Sequence, residues 1–280
     1  FDGLIIQTKL TGSILYILGN KDLCIFVDLW TSFDYYQFGI HIYNINISHL
    51  LHIDTFLGAP KIGDLIMENS YSYQQIFLKP RYSEYHSRSA VDTSVVLGAN
   101  VFKLPVMPAN MACTIDTKLA KWLSENEYFY VMHRFNKNHE DAPNTDNKNF
   151  IELANKENWK NISISLGVKD EDKELIEHCI KNELVIDYIT IDIAHAHSVR
   201  MKEMLAYLNR MYRSDMCNIP RPFIIAGNVA TPGAVVDLEN WGADATKVGI
   251  AQGDACTTYG QTGFGTPMFS CIQECAQIAK

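Results

Sequence analysis

Phe223-Ile224-Ile225-Ala226, Gly227-Asn228, Thr231-Pro232, residues 233–241 and Ala245-Thr246-Lys247-Val248 follow one another in this order, and the order decides the fold. The first and last runs read as short strands. Thr231 reads as a helix N-cap and Pro232 as the first helical residue, where a missing N–H costs nothing, so a helix is expected over 233–241. A strand, a helix and a second strand in succession imply parallel pairing through a right-handed crossover.

The same rhythm extends upstream. Strand-like runs occur at Leu104-Pro105-Val106-Met107, Tyr128-Phe129-Tyr130-Val131-Met132, Ile162-Ser163-Ile164-Ser165-Leu166 and Tyr188-Ile189-Thr190-Ile191. Amphipathic stretches lie between them, such as Glu171 to Asn182, where Leu175, Ile176, Cys179 and Ile180 share one helical face. Runs this apolar suit strands covered on both sides. About six β/α units in a row favour an α/β fold of the TIM (β/α)8-type barrel over an open sheet. The barrel is expected to be incomplete in this chain, two strands short after Lys280. Residues 1–71 differ in character. They are rich in Ile, Leu, Tyr and Phe without helical period or clean alternation, and stand as an unassigned N-terminal extension to a barrel over 72–280.

Composition narrows the function. The chain has 280 residues, 47% hydrophobic and 20% charged, which excludes a disordered chain and provides for a sizeable core. Its 24 Lys+Arg against 32 Asp+Glu give a formal charge of −8, unsuited to a nucleic-acid polymer or an anionic membrane, though not to a pocket for one phosphate. The most apolar stretch, Ile14 to Trp30, is broken by Lys21, Asp22 and Asp28, so no membrane span is expected. No basic segment leads into a cleavage site, which gives no support to a signal peptide, and a start at Phe1 reads as a fragment or a processed end. Seven scattered cysteines (Cys24, Cys113, Cys179, Cys217, Cys256, Cys271, Cys275), odd in number and without a CxxC pair, point to a reducing, cytoplasmic setting. In that setting Asn46-Ile47-Ser48 is a chance sequon.

In parallel α/β folds chemistry gathers at the C-terminal ends of strands. The residues there are Pro108-Ala109-Asn110-Met111, His133-Arg134-Phe135, Asp192 to His197, Gly227-Asn228, and the loop Gly249 to Gly265. Glycines at 249, 253, 260, 263 and 265 let that loop approach a ligand closely. Cys256 within it is placed to be an exposed, reactive thiol, with Thr258 two residues on to pass a proton. The competing reading is a flexible glycine loop with an incidental cysteine.

A resemblance bears on that choice. Lys247 to Gly265, with Ala226-Gly227-Asn228-Val229-Ala230-Thr231 and Gly242-Ala243-Asp244-Ala245 ahead of it, resembles the catalytic region of the IMP dehydrogenase/GMP reductase family. Ser87-Arg88-Ser89, Lys103 to Met111, Tyr128 to Phe135 and Ile189 to Ser198 are similar to its bacterial-type reductase branch, collinearly from about Gln75. The resemblance implies reductive deamination of GMP to IMP and ammonia by NADPH, within purine nucleotide salvage. Cys256 is implied as the nucleophile that forms a thioimidate at the purine C2, and Thr258 as its proton-transfer partner. Ser87, Arg88, Arg134, Asp192, Ile193, Ala194, Ile250 and Ala251 are implied as cofactor contacts. Guanidinium groups suit a phosphate-bearing cofactor, although without the resemblance surface salt bridging is the preferred reading of Arg88 and Arg134. Backbone at Ala251, Gly253 and Cys256 is implied to hold a monovalent cation such as K+, and the assembly is implied to be a homo-oligomer, a tetramer.

Two other readings stay open: an NAD-dependent oxidation of IMP, and an inactive truncated paralogue that binds partners through exposed edges. His195-x-His197 has strand spacing for zinc, but no matching ligands stand at other strand ends. Cys271 and Cys275, four apart on the last helix, read as core packing. The chain departs from the family pattern at Ala251-Gln252-Gly253, where Gly-Pro-Gly is usual, and at Tyr259, where a basic residue is usual. The phosphate-binding Asp-Gly-Gly segment and the flap glutamate are expected to be absent.

Overall fold

The computed structural model describes residues 25–26, 70–134, 145–215, 217–253 and 256–279, with side chains at all of these except 25, 26, 145 and 146. In chain order the elements are β1 (Ile25–Phe26), β2 (Val95–Leu97), β3 (Asn100–Phe102), α1 (Thr117–Glu125), α2 (Thr145–Lys156), β4 (Ser163–Leu166), α3 (Asp170–Lys181), β5 (Tyr188–Asp192), α4 (Val199–Tyr212), β6 (Phe223–Val229), α5 (Pro232–Asn240), β7 (Ala245–Val248), α6 (Thr258–Thr262) and α7 (Met268–Ile278). The calls on Cys24, the sequon at 46–48, Phe135 and most of the N-terminal extension lie outside the described residues.

Local chemistry starts these helices where the sequence indicates. The Thr231 hydroxyl accepts from the Ala234 N–H at 3.4 Å, and Pro232 opens α5. Ser198 caps α4 in the same way through the Met201 N–H. Asp170, Glu171 and Asp172 fill the first turn of α3, where the unpaired N–H groups favour negative charge.

β4, β5, β6 and β7 pair in parallel in strict sequence order, with a helix between each strand and the next, and β1 lies parallel to β7. Met132 forms a parallel bridge to Ile164, so the segment before α2 continues the sheet beyond β4. Strand order without reversal is the arc of a singly wound TIM-type barrel, whereas a doubly wound sheet reverses.

Side-chain alternation separates two cores. Tyr130, Met132, Ile164, Leu166, Ile189, Ile191, Ile224, Ala226 and Val248 pack outward, against the helices. Phe129, Val131, Tyr188, Ile225 and Ala245 point inward and meet Leu97 and Phe102 of the β2–β3 hairpin. The Tyr188 hydroxyl donates to the Leu97 carbonyl at 2.7 Å and accepts from the Asn100 amide at 2.8 Å. Tyr188 is the first residue of β5, so the hairpin plugs the N-terminal end of the strands. The opposite end is left for chemistry.

One expected strand does not form. Leu104-Pro105-Val106-Met107 is irregular, because Pro105 and Pro108 supply no N–H to a ladder, although Met107 still packs in the inner core. Five parallel positions are therefore seen among the described residues, counting Met132 and leaving out the two-residue β1, instead of six.

Candidate active site

Asp192, Gly227 and Lys247 are neighbours across β5, β6 and β7 in one register row. Each lies an even number of residues beyond an inner-core residue (Tyr188, Ile225 and Ala245), so all three face the barrel interior at its C-terminal end. Gly227 is the permissive member. A Cβ there would be built into the Lys247 side chain and would lie 2.7 Å from the Lys247 carbonyl oxygen. With no side chain between them, Lys247 reaches across to Asp192. Its ammonium lies 3.5 Å from Asp192 Oδ1 and 3.4 Å from Asn110 Oδ1, and the Asn110 amide donates to Asp192 Oδ2 at 2.8 Å.

The lysine side chain is 2% exposed and the aspartate side chain 26%. Burial opposes ionisation of Asp192, but the Lys247 charge, the Asn110 hydrogen bond and the Arg134 charge outweigh it and hold the carboxyl below its ordinary range. The result is an ionised acceptor, partly open at the mouth. Arg134 lies over Gly167: a Cβ on that glycine would be 3.3 Å from Arg134 Nη1 and 2.8 Å from Asp172 Oδ2. Asp172 in turn accepts from the Gly167 and Lys169 N–H groups at 3.0 Å each.

Asn228 ties two strand ends together. Its N–H donates to the Ile193 carbonyl at 2.9 Å and its side-chain amide to the Gly249 carbonyl at 2.8 Å, while its own carbonyl accepts from Ala196. Ile193 N–H donates to Gly227. Ala194, His195 and His197 are exposed beyond it. His197 engages Asp237 at 2.7 Å and lies against Trp241 of the neighbouring helix end. Among the described residues no three His, Cys, Asp or Glu side chains gather as a metal set.

The loop after β7 is braced by Gln252, whose amide donates to the carbonyls of Ile250 and Thr266 and so joins the two limbs. Ala251 takes a left-handed φ of 63°, in the position where the resemblance implies glycine. Cys256 is exposed, and its N–H donates to the Gly253 carbonyl at 2.9 Å. Thr258, half-buried, opens α6, which ends at Gly263 with φ 72°. Asp254 and Ala255 lie outside the described residues.

Thus Asp192, Arg134 and Ile193 stand together at the strand ends, and Cys256, Thr258, Ile250 and Ala251 share the adjoining loop. Ser87 and Arg88 stand in an exposed turn at Arg88–Ala90, where Ser87 Oγ accepts from the Ser89 N–H. No hydrogen bond or ion pair among the described residues links them to Asp192. Sequence reading passed over Lys247 and gave Asn110 no role. The available signal was a cation set inside an otherwise uncharged strand.

Comparison with known proteins now bears on this geometry. A profile described as IMP dehydrogenase / GMP reductase domain matches residues 70–280. The chain belongs to this family. Its relatives include GMP reductase from Paracidovorax citrulli (strain AAC00-1), 45% identical over 211 residues, covering 75% of this chain and 60% of the relative. GMP reductase from Oceanobacillus iheyensis is 47% identical over 215 residues, covering 76% of this chain and 61% of the relative. Among solved structures, inosine 5' monophosphate dehydrogenase from Legionella pneumophila superposes with a TM-score of 0.60 at 28% identity, covering 75% of this chain and 59% of that one. The family fold is the TIM barrel, in agreement with the parallel arc. The chain spans three-fifths of the length of the curated relatives it matches, at 60% for the first of them.

Proposed function

We propose that this barrel carries out the reductive deamination of GMP to IMP and ammonia with NADPH. The observation that carries the reading is the exposed Cys256 thiol on a loop at the same end of the sheet as the ionised Asp192. The similarity to GMP reductases favours it over the NAD-dependent oxidation of IMP.

The Cys256 sulfur, as thiolate, adds to C2 of the guanine ring. The C2–N bond breaks and the exocyclic amine leaves as ammonia, taking a proton through the Thr258 hydroxyl, which leaves a thioimidate on sulfur. NADPH supplies the hydride that reduces C2. The C–S bond then breaks, and the thiolate is returned with IMP. One GMP, one NADPH and one proton thereby give IMP, NADP+ and ammonia. Splitting the displacement at a sulfur adduct replaces one difficult step with two easier ones.

The residues at the mouth suit that cofactor. An ionised, partly open Asp192 accepts hydrogen bonds from sugar hydroxyls, and Arg134 provides positive charge beside it for a phosphate-bearing ligand. Ile193, Ala194, Ile250 and Ala251 line the approach with backbone, and Ser87-Arg88 is the proposed outer contact. The turn at Ala251, Gly253 and Cys256 is the proposed seat of a monovalent cation, with no chemical step passing through it. A homo-oligomer in a cytoplasmic, reducing setting completes the proposal.

Incubation of the chain with GMP and NADPH tests it. Loss of NADPH absorbance with equimolar ammonia release is expected. NAD reduction with IMP, or a folded chain that turns over neither pair, overturns it.

A further inference from the structure

We propose that Lys247, reaching across Gly227 and working with Asn110, is the positioning residue that keeps Asp192 ionised and aimed into the barrel mouth. Its significance for ligand binding rests on the reading of Asp192 as a cofactor contact; its hold on the carboxylate does not.

A lysine rarely sits at 2% exposure, because taking an ammonium out of water is costly unless it is paired. Here Asp192, Asn110 and the ammonium form one triangle. Asp192 Oδ1 and Asn110 Oδ1 lie 3.5 and 3.4 Å from the ammonium, long for hydrogen bonds but well placed for charge attraction. The triangle closes through the 2.8 Å bond from Asn110 to Asp192 Oδ2. One carboxylate oxygen thus faces the cation and the other an amide, and both constraints fix the plane of the carboxyl group. Lys247 itself is too buried to touch a ligand, whereas Asp192 is not. Its charge can therefore reach a ligand only through a side chain it holds, and Asp192 is one that opens to the mouth.

The fold is arranged for this reach. β5, β6 and β7 place Asp192, Gly227 and Lys247 in adjacent register positions, and any side chain on the middle strand would occupy the path. The other charged group acting on the carboxylate is Arg134, from the segment preceding α2, and buried His133 precedes it. Arg134 sits over Gly167, with Asp172 Oδ2 against the same glycine, while the Lys247 ammonium stands 3.5 Å from Asp192 Oδ1. Without Lys247, this part-buried aspartate would be expected to take up a proton more readily and to present a donor where the ligand needs an acceptor.

The test is a pH titration of aspartate carboxylates by carbon-13 NMR, with Asp192→Asn assigning the signal, alongside NADPH binding by fluorescence. Wild-type Asp192 is expected to titrate below the ordinary aspartate range. Lys247→Met should raise it clearly, Asn110→Ala by less, and Lys247→Arg, which keeps the charge, should bring it back down. The NADPH dissociation constant is expected to rise at least ~10-fold in Lys247→Met and similarly in Asp192→Asn. The double variant should bind no more weakly than Asp192→Asn alone, because both changes remove one arrangement. An Asp192 titration that ignores Lys247→Met overturns the proposal, as does a double variant whose loss is the product of the two single losses. If Lys247→Met does not fold, Asn110→Ala and Lys247→Arg decide by the same readout. A wild type that takes up no NADPH sinks the reductase reading, and the carboxylate titration then judges the positioning role alone.

Discussion

Ala251 holds a φ of 63°, a conformation that crowds a Cβ against the backbone and that glycine adopts freely. Its Cβ also stands 3.3 Å from where one on Gly265 would project. Ala251→Gly relieves the strain while adding freedom to the unfolded chain, so a net gain of about 0.5–1 kcal/mol is expected by denaturant titration. The cysteines divide just as clearly. Burial pushes the Cys179 thiol up to about 12. A hydrogen bond with Cys275 and burial push Cys271 higher still. Cys113 and Cys256 are exposed. Iodoacetamide should therefore label Cys113 and Cys256 in the native protein, and Cys179, Cys271 and Cys275 only after denaturation. Peptide mapping of labelled protein checks this, and early labelling of Cys271 would contradict its burial.

Gly227 shows what one position can do for an element. Gly227→Ala forces β6 away from β7 at the row that holds Lys247, and a loss of about 1–3 kcal/mol is expected in urea unfolding, the usual range for overpacking a tight core. Thr231→Ala removes the cap of α5 and should cost about 1 kcal/mol by the same measurement. The contrast also shows which elements were legible in the sequence. The Thr-Pro signature of α5 and the apolar stripe of α3 are local, and the structure reproduces both helices within about one residue. The β2–β3 hairpin was not legible, because three-residue strands are too short for a period and the tyrosine that anchors them is 91 residues from Leu97. Lys247 escaped for a similar reason. A lone cation in a strand suggests an exposed face, and the partner that makes it an interior residue lies 55 positions away. The exposure of Cys256 was legible because glycine spacing is itself a local signal.

Across the whole molecule, the buried pair links stability to pH. The folded pKa of Asp192 lies below its unfolded value, so the pair stabilises the fold fully above the ordinary aspartate range of about pH 4. That contribution is lost as pH falls through the lower folded value. Asp192→Asn removes an anion 3.5 Å from the buried Lys247 ammonium and should cost about 3 kcal/mol at neutral pH. The wild-type and variant stabilities should then converge on acidification below about pH 4. A stability difference that stays constant down to strongly acidic pH would mean that Asp192 carries no charge worth holding. Such a result would separate the site from the fold.

The chemistry itself is tested most directly by intact-protein mass spectrometry of the chain incubated with GMP in the absence of NADPH. A mass increase equal to GMP less ammonia is expected, mapped to Cys256, absent from Cys256→Ala, and discharged as IMP when NADPH is added. No adduct on a folded wild-type chain, or the same adduct on Cys256→Ala, would contradict the account.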